Sequence, residues 1–241
     1  GKTRTGAEFI KYMCQTIYHG RFALVGQSQA DVRDTMFEGE SGLLNILPPS
    51  FFRKGSVESS WNRSMLELKL DIGGPGNGAK IKGYSAEKPR QLRGPQHHGA
   101  WADEPASFAD AHLGIPKESG KVSTMSNLIM TLRLGMHPRL VVTGTPQNNK
   151  LITDLRARND VIITYGKTKE NLVNLSKNYQ RTVVEPFEGT RAGRQELDGE
   201  LLIDTVGALW LWSFFEWEGF RTTNLTLPLL DVITVNYDPS N

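Results

Sequence analysis

The spacing of apolar residues at the start of the chain predicts a helix, a buried strand and a second helix. Over residues 3–18, apolar side chains recur with helical spacing and polar side chains occupy the opposite face, until Gly20 ends the pattern. Residues 22–25 form a short continuous apolar run, typical of a strand that is buried on both faces. Ser28 and Asp31 are then spaced as a capping box, at which the second helix begins.

The pattern next changes to the two-residue period of a half-buried strand. Leucine and isoleucine alternate with charged residues over residues 66–72. A glycine-rich turn follows at residues 73–78, and residues 79–84 return with a second apolar stretch. This order predicts an antiparallel hairpin inserted into the chain.

The alternation of strands and helices then resumes. The predicted elements are a strand at 98–102, a helix at 122–134, a strand at 140–142, a helix at 150–158 and a strand at 161–164. From Lys169 to about Trp217 the pattern is mainly helical, and a last strand is predicted at 232–235. Such alternation is typical of an α/β protein with a mostly parallel sheet and flanking helices.

Composition narrows the class of protein. A chain of 241 residues allows one large domain, or one domain with a smaller addition. The 28 lysines and arginines nearly balance the 26 acidic residues, so any nucleic acid must contact a local basic patch. The single cysteine, Cys14, excludes a disulfide scaffold and a four-cysteine zinc site, and it falls on the apolar face of the first helix. Without a membrane-length apolar stretch or a visible signal peptide, we expect a soluble protein of a reducing compartment.

The first three residues match the second half of a phosphate-binding loop, GxxxxGK[ST]. In such a loop the free N–H groups of the helix and the lysine contact phosphates, and the hydroxyl of the third residue ligates Mg²⁺. Gly1-Lys2-Thr3 supplies these groups at the start of the predicted helix. An exposed basic N-terminus is the alternative. The first glycine of the loop is absent, so we expect this chain to be part of a larger protein.

Two carboxylates follow the strand predicted at residues 98–102. Asp103 and Glu104 match a Walker B pair, in which the first acid holds Mg²⁺ and the second polarises the attacking water. The alternative is that one of them caps a helix after Pro105.

A third candidate motif follows the next predicted strand. Thr143-Gly144-Thr145-Pro146 stands where a parallel sheet places its functional loops, beyond the carboxyl ends of its strands. Small hydroxyl residues there can respond to the γ-phosphate. The alternative is an ordinary Thr-Pro turn.

Basic residues cluster ahead of the Asp-Glu pair. They are Lys80, Lys82, Lys88, Arg90 and Arg93. Such a cluster is compatible with a solvated face, with contact to a DNA backbone, or with an arginine finger that stabilises charge on phosphate. The nearby His97 and His98 have no further cysteine or histidine at ligand spacing, which argues against a metal site.

Taken together, these motifs resemble the large terminase subunit of tailed bacteriophages, the ATPase that packages viral DNA into the procapsid. The resemblance is carried by residues 84–96 and 101–104, and it continues through residues 143–146, 167–172 and 189–200. It implies a P-loop NTPase core of the additional-strand, RecA-like type at residues 1–166. It further implies a small helical lid at 167–228 and the first strand of an RNase H-like nuclease at 229–241.

The resemblance also implies roles for individual residues. Nucleotide would be bound by Gly1, Lys2, Thr3 and Arg4, and Mg²⁺ by Thr3 and Asp103. Glu104 would be the catalytic base, and Thr143 to Pro146 would couple hydrolysis to movement. Arg93 would act in trans as the arginine finger, with Arg90 the second candidate, and Asp238 would be the first metal ligand of the nuclease.

The implied substrate and partners follow from the same resemblance. They are ATP with Mg²⁺, double-stranded viral DNA contacted by Lys80, Lys82, Lys88 and Arg90, the portal protein, the small terminase subunit and a homo-oligomeric ring in the host cytoplasm. A superfamily 2-like helicase or translocase has the same order of motifs and is one alternative. A DNA-binding ring module that has lost catalysis is another.

Overall fold

The computed structural model describes residues 1–73, 78–115 and 122–202. The chain divides into two compact units, Gly1–Leu202 and Ile203–Asn241. The second unit lies outside the described residues, and with it the strand predicted at 232–235, the end of the predicted lid and Asp238. The six described strands are β1 (Arg21–Gly26), β2 (Trp61–Asn62), β3 (Glu67–Lys69), β4 (Lys80–Ser85), β5 (Gly99–Asp103) and β6 (Arg139–Thr143).

These strands form one mixed sheet in the order β2-β3-β4-β1-β5-β6. The four strands β4, β1, β5 and β6 are parallel, whereas β2 and β3 join by antiparallel pairing. Leu68 pairs with Ile81 in the predicted hairpin, and both are buried because the period-2 pattern turns them to the same face. The α/β class with a mostly parallel sheet is therefore confirmed.

Helices and short turns connect and cover the strands. In the described residues the α-helices are α1 (Lys2–Thr16), α2 (Leu43–Ile46), α3 (Val57–Ser60), α4 (Thr124–Thr131), α5 (Lys150–Arg156), α6 (Lys177–Tyr179), α7 (Glu185–Phe187) and α8 (Arg191–Glu196). π-Helical turns lie at Asp31–Phe37 and Gln180–Val184, and 3₁₀ turns at Pro49–Phe51, Arg53–Gly55, Pro89–Leu92, Pro105–Ser107, Ala111–Leu113 and Thr168–Asn174. None of the helices in the described part of the chain is long and apolar enough to cross a membrane.

Alternation along the central strands creates two apolar cores, one on each face of the sheet. Phe22 and Leu24 of β1 lie in the core beneath α1, which also contains Cys14. Ala23 and Val25 of the same strand lie in the core formed with α4 and α5. Burial in the first core raises the pKa of the Cys14 thiol, as expected for a packing residue rather than a nucleophile.

Two predicted strands differ from the structure. The sequence pattern predicts a strand buried on both faces at residues 140–142, but β6 is an edge strand of the described sheet and Val142 is 37% exposed. The strand predicted at residues 161–164 is wrong, because no strand forms over this run and Ile162 is 92% exposed. An apolar run becomes a strand only where a neighbour satisfies its backbone N–H and C=O groups, and none of the six described strands does so here.

The two adjacent histidines hold the start of β5 in place. The Thr131 hydroxyl donates to the Leu128 carbonyl oxygen at 2.7 Å, so the contact of 2.9 Å between His97 Nδ1 and Thr131 Oγ1 uses the imidazole proton. His97 Nε2 is then the acceptor for the Tyr84 hydroxyl, at 3.3 Å. His98 Nδ1 accepts from the backbone N–H of Arg21. Both rings therefore have structural partners.

Acidification is expected to destabilise the fold through His97. Burial, with a smaller contribution from the charge of Arg21, lowers the pKa of His97 to about 4, against about 6.5 in an unfolded chain. The unfolded state therefore gains a proton as pH falls from 6.5 towards 4, and stability is lost over that window. We expect the free energy of unfolding in urea to fall by about 2 kcal/mol between pH 7 and pH 5 from this group.

His97→Gln should remove that part of the pH dependence, although the variant is less stable at pH 7. The matched control is His137→Gln, since His137 is an exposed histidine. An equal loss of stability on acidification in wild type and His97→Gln would contradict the assignment.

Candidate functional site

The three predicted motifs meet at one edge of the sheet. β5 ends at Asp103 directly beside Thr143, the last residue of β6, because the two strands are parallel and in register. α1 begins at Lys2, whose ammonium donates to Thr145 Oγ1 at 2.5 Å and lies 3.3 Å from Glu104 Oε1. Residues from the phosphate-loop, Asp-Glu and Thr-Gly-Thr-Pro segments thus converge on one lysine.

Glu104 is held in a strained backbone conformation. Its φ of 47° and ψ of 48° are left-handed, which is unfavourable for a residue with a side chain. Its N–H donates to the Thr143 carbonyl oxygen at 2.7 Å, and its Oε2 accepts from the Thr145 N–H at 3.0 Å. Gly144 permits this approach, since a Cβ there would lie 3.1 Å from Glu104 Oε2. The strand ends therefore fix the carboxylate beside Lys2.

Asp103 is the innermost charged group of the site. Burial raises the pKa of its carboxyl group, and the hydrogen bond from Thr143 partly opposes that shift. The Thr143 hydroxyl donates to Asp103 Oδ1 at 2.6 Å, while Oδ2 has no hydrogen bond within the described residues. A largely buried carboxylate with one oxygen unused, near the hydroxyl-bearing N-terminus of α1, is the type of oxygen donor that Mg²⁺ prefers. The residues present thus fit a magnesium ion.

A cavity of about 240 Å³ adjoins the start of α1. It is lined by Gly1, Lys2, Thr3 and Arg4 and by Asp34, Thr35, Gly39, Glu40 and Ser41. The Arg4 guanidinium is paired with Glu8 one turn along the helix, at 2.7 Å. All four residues predicted to bind nucleotide therefore line one cavity, and Arg4 already forms an ion pair with Glu8.

The basic stretch is divided by the fold. Lys80 and Lys82 lie in the first half of β4, at the end of the sheet away from Asp103. Lys80 pairs with Glu67 at 2.7 Å, and Lys82 donates to the Met65 carbonyl oxygen. The exposed Lys88, Arg90 and Arg93 come after the carboxyl end of β4. The predicted patch is thus not assembled as one surface in the described structure.

Arg93 lies at the end of the 3₁₀ turn Pro89–Leu92. Leu92 anchors this turn in the second core, whereas the side chain of Arg93 is exposed and has no ion pair within the described residues. Arg93 can therefore reach outward from the domain.

Three further residues contribute to the site, although the sequence analysis assigns no role to any of them. The Trp101 indole N–H donates to Thr143 Oγ1 at 2.6 Å, and Glu196 of α8 accepts from the Thr145 hydroxyl at 3.3 Å. Gly6 of α1 faces the Trp101 ring, where a Cβ would lie 2.1 Å from Cε2. These partners are far apart along the chain, so the spacing rules used for helices and strands do not link them.

Gly6→Ala is expected to destabilise the protein by up to about 2 kcal/mol. Alanine favours a helix over glycine by about 1 kcal/mol, but the new methyl group would overlap the buried indole, and overpacking of this kind costs about 1–3 kcal/mol. Urea unfolding measures the outcome. Thr5→Ala, on the exposed side of the same helix, is the control and should change stability by less than about 0.5 kcal/mol. A stabilised Gly6→Ala variant would contradict the close contact.

Comparison with solved structures shows the same fold in phage proteins. The large terminase of a thermophilic bacteriophage aligns with a TM-score of 0.58 and 12% identity, over 81% of this chain and 44% of that one. The large terminase ATPase domain of Thermus phage P74-26 aligns with a TM-score of 0.53 and 13% identity, over 83% and 84% of the two chains. This chain therefore spans less than half of the first of these proteins. No curated protein matches the sequence.

The family of this chain is shown by a match of its sequence to a family model. Residues 1–216 match the family described as terminase large subunit, T4likevirus-type, N-terminal. The match includes the three motifs that converge on Lys2 and extends over all of the described residues. This chain therefore belongs to the T4likevirus-type large terminase subunits, and its mostly parallel sheet is the P-loop NTPase fold of their ATPase portion.

Proposed function

We propose that this chain is the ATP-hydrolysing motor portion of a terminase that moves double-stranded viral DNA into a procapsid. The observation that carries the proposal is the convergence of Lys2, Glu104 and Thr145 beside the largely buried Asp103. The large terminase of the thermophilic bacteriophage has also been crystallised with ADP, and that complex aligns with a TM-score of 0.52 and 14% identity over 73% of this chain and 40% of that one. The bound ADP supports nucleotide as the ligand.

Nucleotide binding requires Lys2 to exchange partners. Its ammonium is held by Glu104 and Thr145, in an ion pair whose side chains are 49% and 43% exposed. Such a solvated pair contributes only about 0–1 kcal/mol, so phosphate competes for the lysine at little cost. The free N–H groups at the start of α1 add favourable interactions with phosphate. Thr3 and Asp103 would hold the Mg²⁺ of the MgATP substrate, which neutralises charge on the phosphates.

Hydrolysis requires a positioned water molecule. Once Lys2 has moved to phosphate, Glu104 has Oε1 available for this water while Thr145 still holds Oε2. The exposed Arg93 would stabilise phosphate charge in the site of a neighbouring subunit of a homo-oligomeric ring.

Coupling to movement would pass through Thr145. Its hydroxyl accepts from Lys2 and donates to Glu196 in α8, so it links the phosphate-binding lysine to the segment proposed as the lid. When Lys2 moves to phosphate, Thr145 loses the hydrogen bond from Lys2 and the connection to Glu196 changes. The proposed partners of the movement are double-stranded DNA, the portal protein and the small terminase subunit, and the nuclease role of Asp238 remains a prediction.

A DNA-dependent ATPase assay on the full-length natural protein tests this function. Wild type should hydrolyse ATP faster with duplex DNA present, and Lys2→Ala should lose about 100-fold or more of the rate. If wild type hydrolyses ATP no faster than Lys2→Ala, the result would instead favour a catalytically inactive DNA-binding module. Strand separation of a forked duplex, without translocation along blunt duplex, would favour a helicase.

A further inference from the structure

We propose that Trp101 is a positioning residue for the magnesium-binding carboxylate: its indole N–H orients the Thr143 hydroxyl so that this hydroxyl donates to Asp103. The inference rests on the proposed function, since it concerns the metal of the MgATP substrate. The indole N–H of Trp101 does not contact the proposed nucleotide site, and this hydrogen bond acts on Asp103 only through Thr143.

The direction of the hydrogen bonds is fixed by chemistry. The indole nitrogen of tryptophan only donates, and a threonine hydroxyl has one proton and two lone pairs. The hydroxyl of Thr143 lies 2.6 Å from both Trp101 Nε1 and Asp103 Oδ1. Because the indole occupies a lone pair, the hydroxyl proton is directed to the carboxylate. This sequence of bonds commits Oδ1 of Asp103 and leaves Oδ2 for a cation.

The burial of Trp101 makes this orientation specific. The residue is fully buried on β5 and shares a face of the strand with Asp103, two residues on. A buried indole N–H normally requires a partner, and Thr143 supplies it. Thr143 is β-branched, buried and paired along β6, so its side chain has few alternative conformations.

The same indole also supports the helix that carries Lys2 and Thr3. Gly6 packs directly against the ring, and this contact sets the distance between the first turns of α1 and β5. Thr3 and Asp103, the two residues proposed to hold Mg²⁺, are therefore positioned against one side chain. Trp101 thus fixes their relative position as well as the orientation of the carboxylate.

The test compares metal binding in four forms of the full-length natural protein: wild type, Trp101→Phe, Thr143→Val and the double variant. Phenylalanine retains most of the ring packing and removes the N–H. The probe is Mn²⁺, titrated by electron paramagnetic resonance in the presence of ADP, with metal-free ADP affinity measured separately. Thr143→Val should weaken Mn²⁺ binding about 10- to 100-fold, the range for partners of metal ligands. Trp101→Phe should weaken it about 3- to 10-fold, the value of one hydrogen bond, and metal-free ADP affinity should stay unchanged.

The double variant distinguishes positioning from general damage. If Trp101 acts through Thr143, the double variant binds Mn²⁺ no more weakly than Thr143→Val alone. Independent effects that multiply would overturn the inference, and so would unchanged Mn²⁺ affinity in Trp101→Phe. Trp61→Phe is the matched control, because the indole N–H of this tryptophan donates to Glu38 and not to Thr143, so its removal should leave Mn²⁺ affinity unchanged.

If Trp101→Phe folds poorly, two further measurements test the same role of Trp101. Thr143→Ser keeps the hydroxyl and should restore most of the Mn²⁺ affinity lost in Thr143→Val. Hydrogen exchange of the Trp101 indole N–H should be slow in wild type and faster in Thr143→Val, and equal exchange in both would overturn the proposal. Failure of wild type to bind ADP at all is a different result, because it rejects the proposed function itself.

Discussion

Arg93→Ala is expected to lower the steady-state ATPase rate of the full-length natural protein by about 10³- to 10⁵-fold, the value of an arginine finger in phosphoryl transfer. The side chain has the properties that the role requires, since it is exposed, has no ion pair within the described residues and follows a turn anchored by buried Leu92. Nucleotide binding should persist, because Lys2 and Asp103 are unchanged. Steady-state rates and equilibrium binding of a fluorescent ADP measure the two effects.

Mixing variants tests whether Arg93 acts in trans. An Arg93→Ala subunit retains Glu104, and a Glu104→Gln subunit retains Arg93, so an interface between them contains one complete site. Mixed subunits should therefore recover activity that neither variant has alone. Absence of recovery would place Arg93 in its own site. Arg90→Ala is the matched comparison, and a large loss in Arg90→Ala with none in Arg93→Ala would transfer the role to Arg90.

The core of the fold follows from local sequence patterns. Alternation predicts the pairing of Leu68 with Ile81, and the apolar run at residues 22–25 forms the central strand β1. The same reasoning fails at residues 161–164, because a run of apolar residues does not specify a partner strand. The prediction that residues 140–142 are buried on both faces fails for a similar reason. These residues lie in an edge strand, and the position of a strand in a sheet depends on its neighbours.

The sequence predicts only those parts of the site that lie at the carboxyl ends of strands. Asp103 and Thr143 meet because parallel strands bring their carboxyl ends to one edge, a consequence that can be stated from sequence alone. The contact between Trp101 and Thr143 depends on the detailed packing of one indole, which no local pattern specifies. The basic residues are close in sequence, but extended chain separates residues by about 3.3 Å each. Lys80 and Arg90 are consequently placed at different parts of the fold.

Glu104→Gln is expected to lower turnover by about 10²- to 10⁴-fold, the usual contribution of a general base. Glutamine keeps the shape of the side chain and an oxygen that accepts from the Thr145 N–H, but it cannot take a proton from water. Affinity for ATP should be unchanged or up to about fivefold tighter, because the variant releases Lys2 from a solvated ion pair. Single-turnover hydrolysis and equilibrium binding separate these effects.

Glu196→Gln provides the matched control for that experiment, because both carboxylates contact Thr145 and only one is proposed as the base. Glu196 accepts from the hydroxyl of Thr145 but lies on α8, so its loss should weaken coupling to DNA more than the chemical step. The single-turnover rate of Glu196→Gln should stay within about threefold of wild type, as expected for a partly exposed polar contact. If Glu196→Gln loses turnover while Glu104→Gln retains it, the two roles must be exchanged. If neither variant loses turnover, water is activated without a carboxylate from this edge of the sheet.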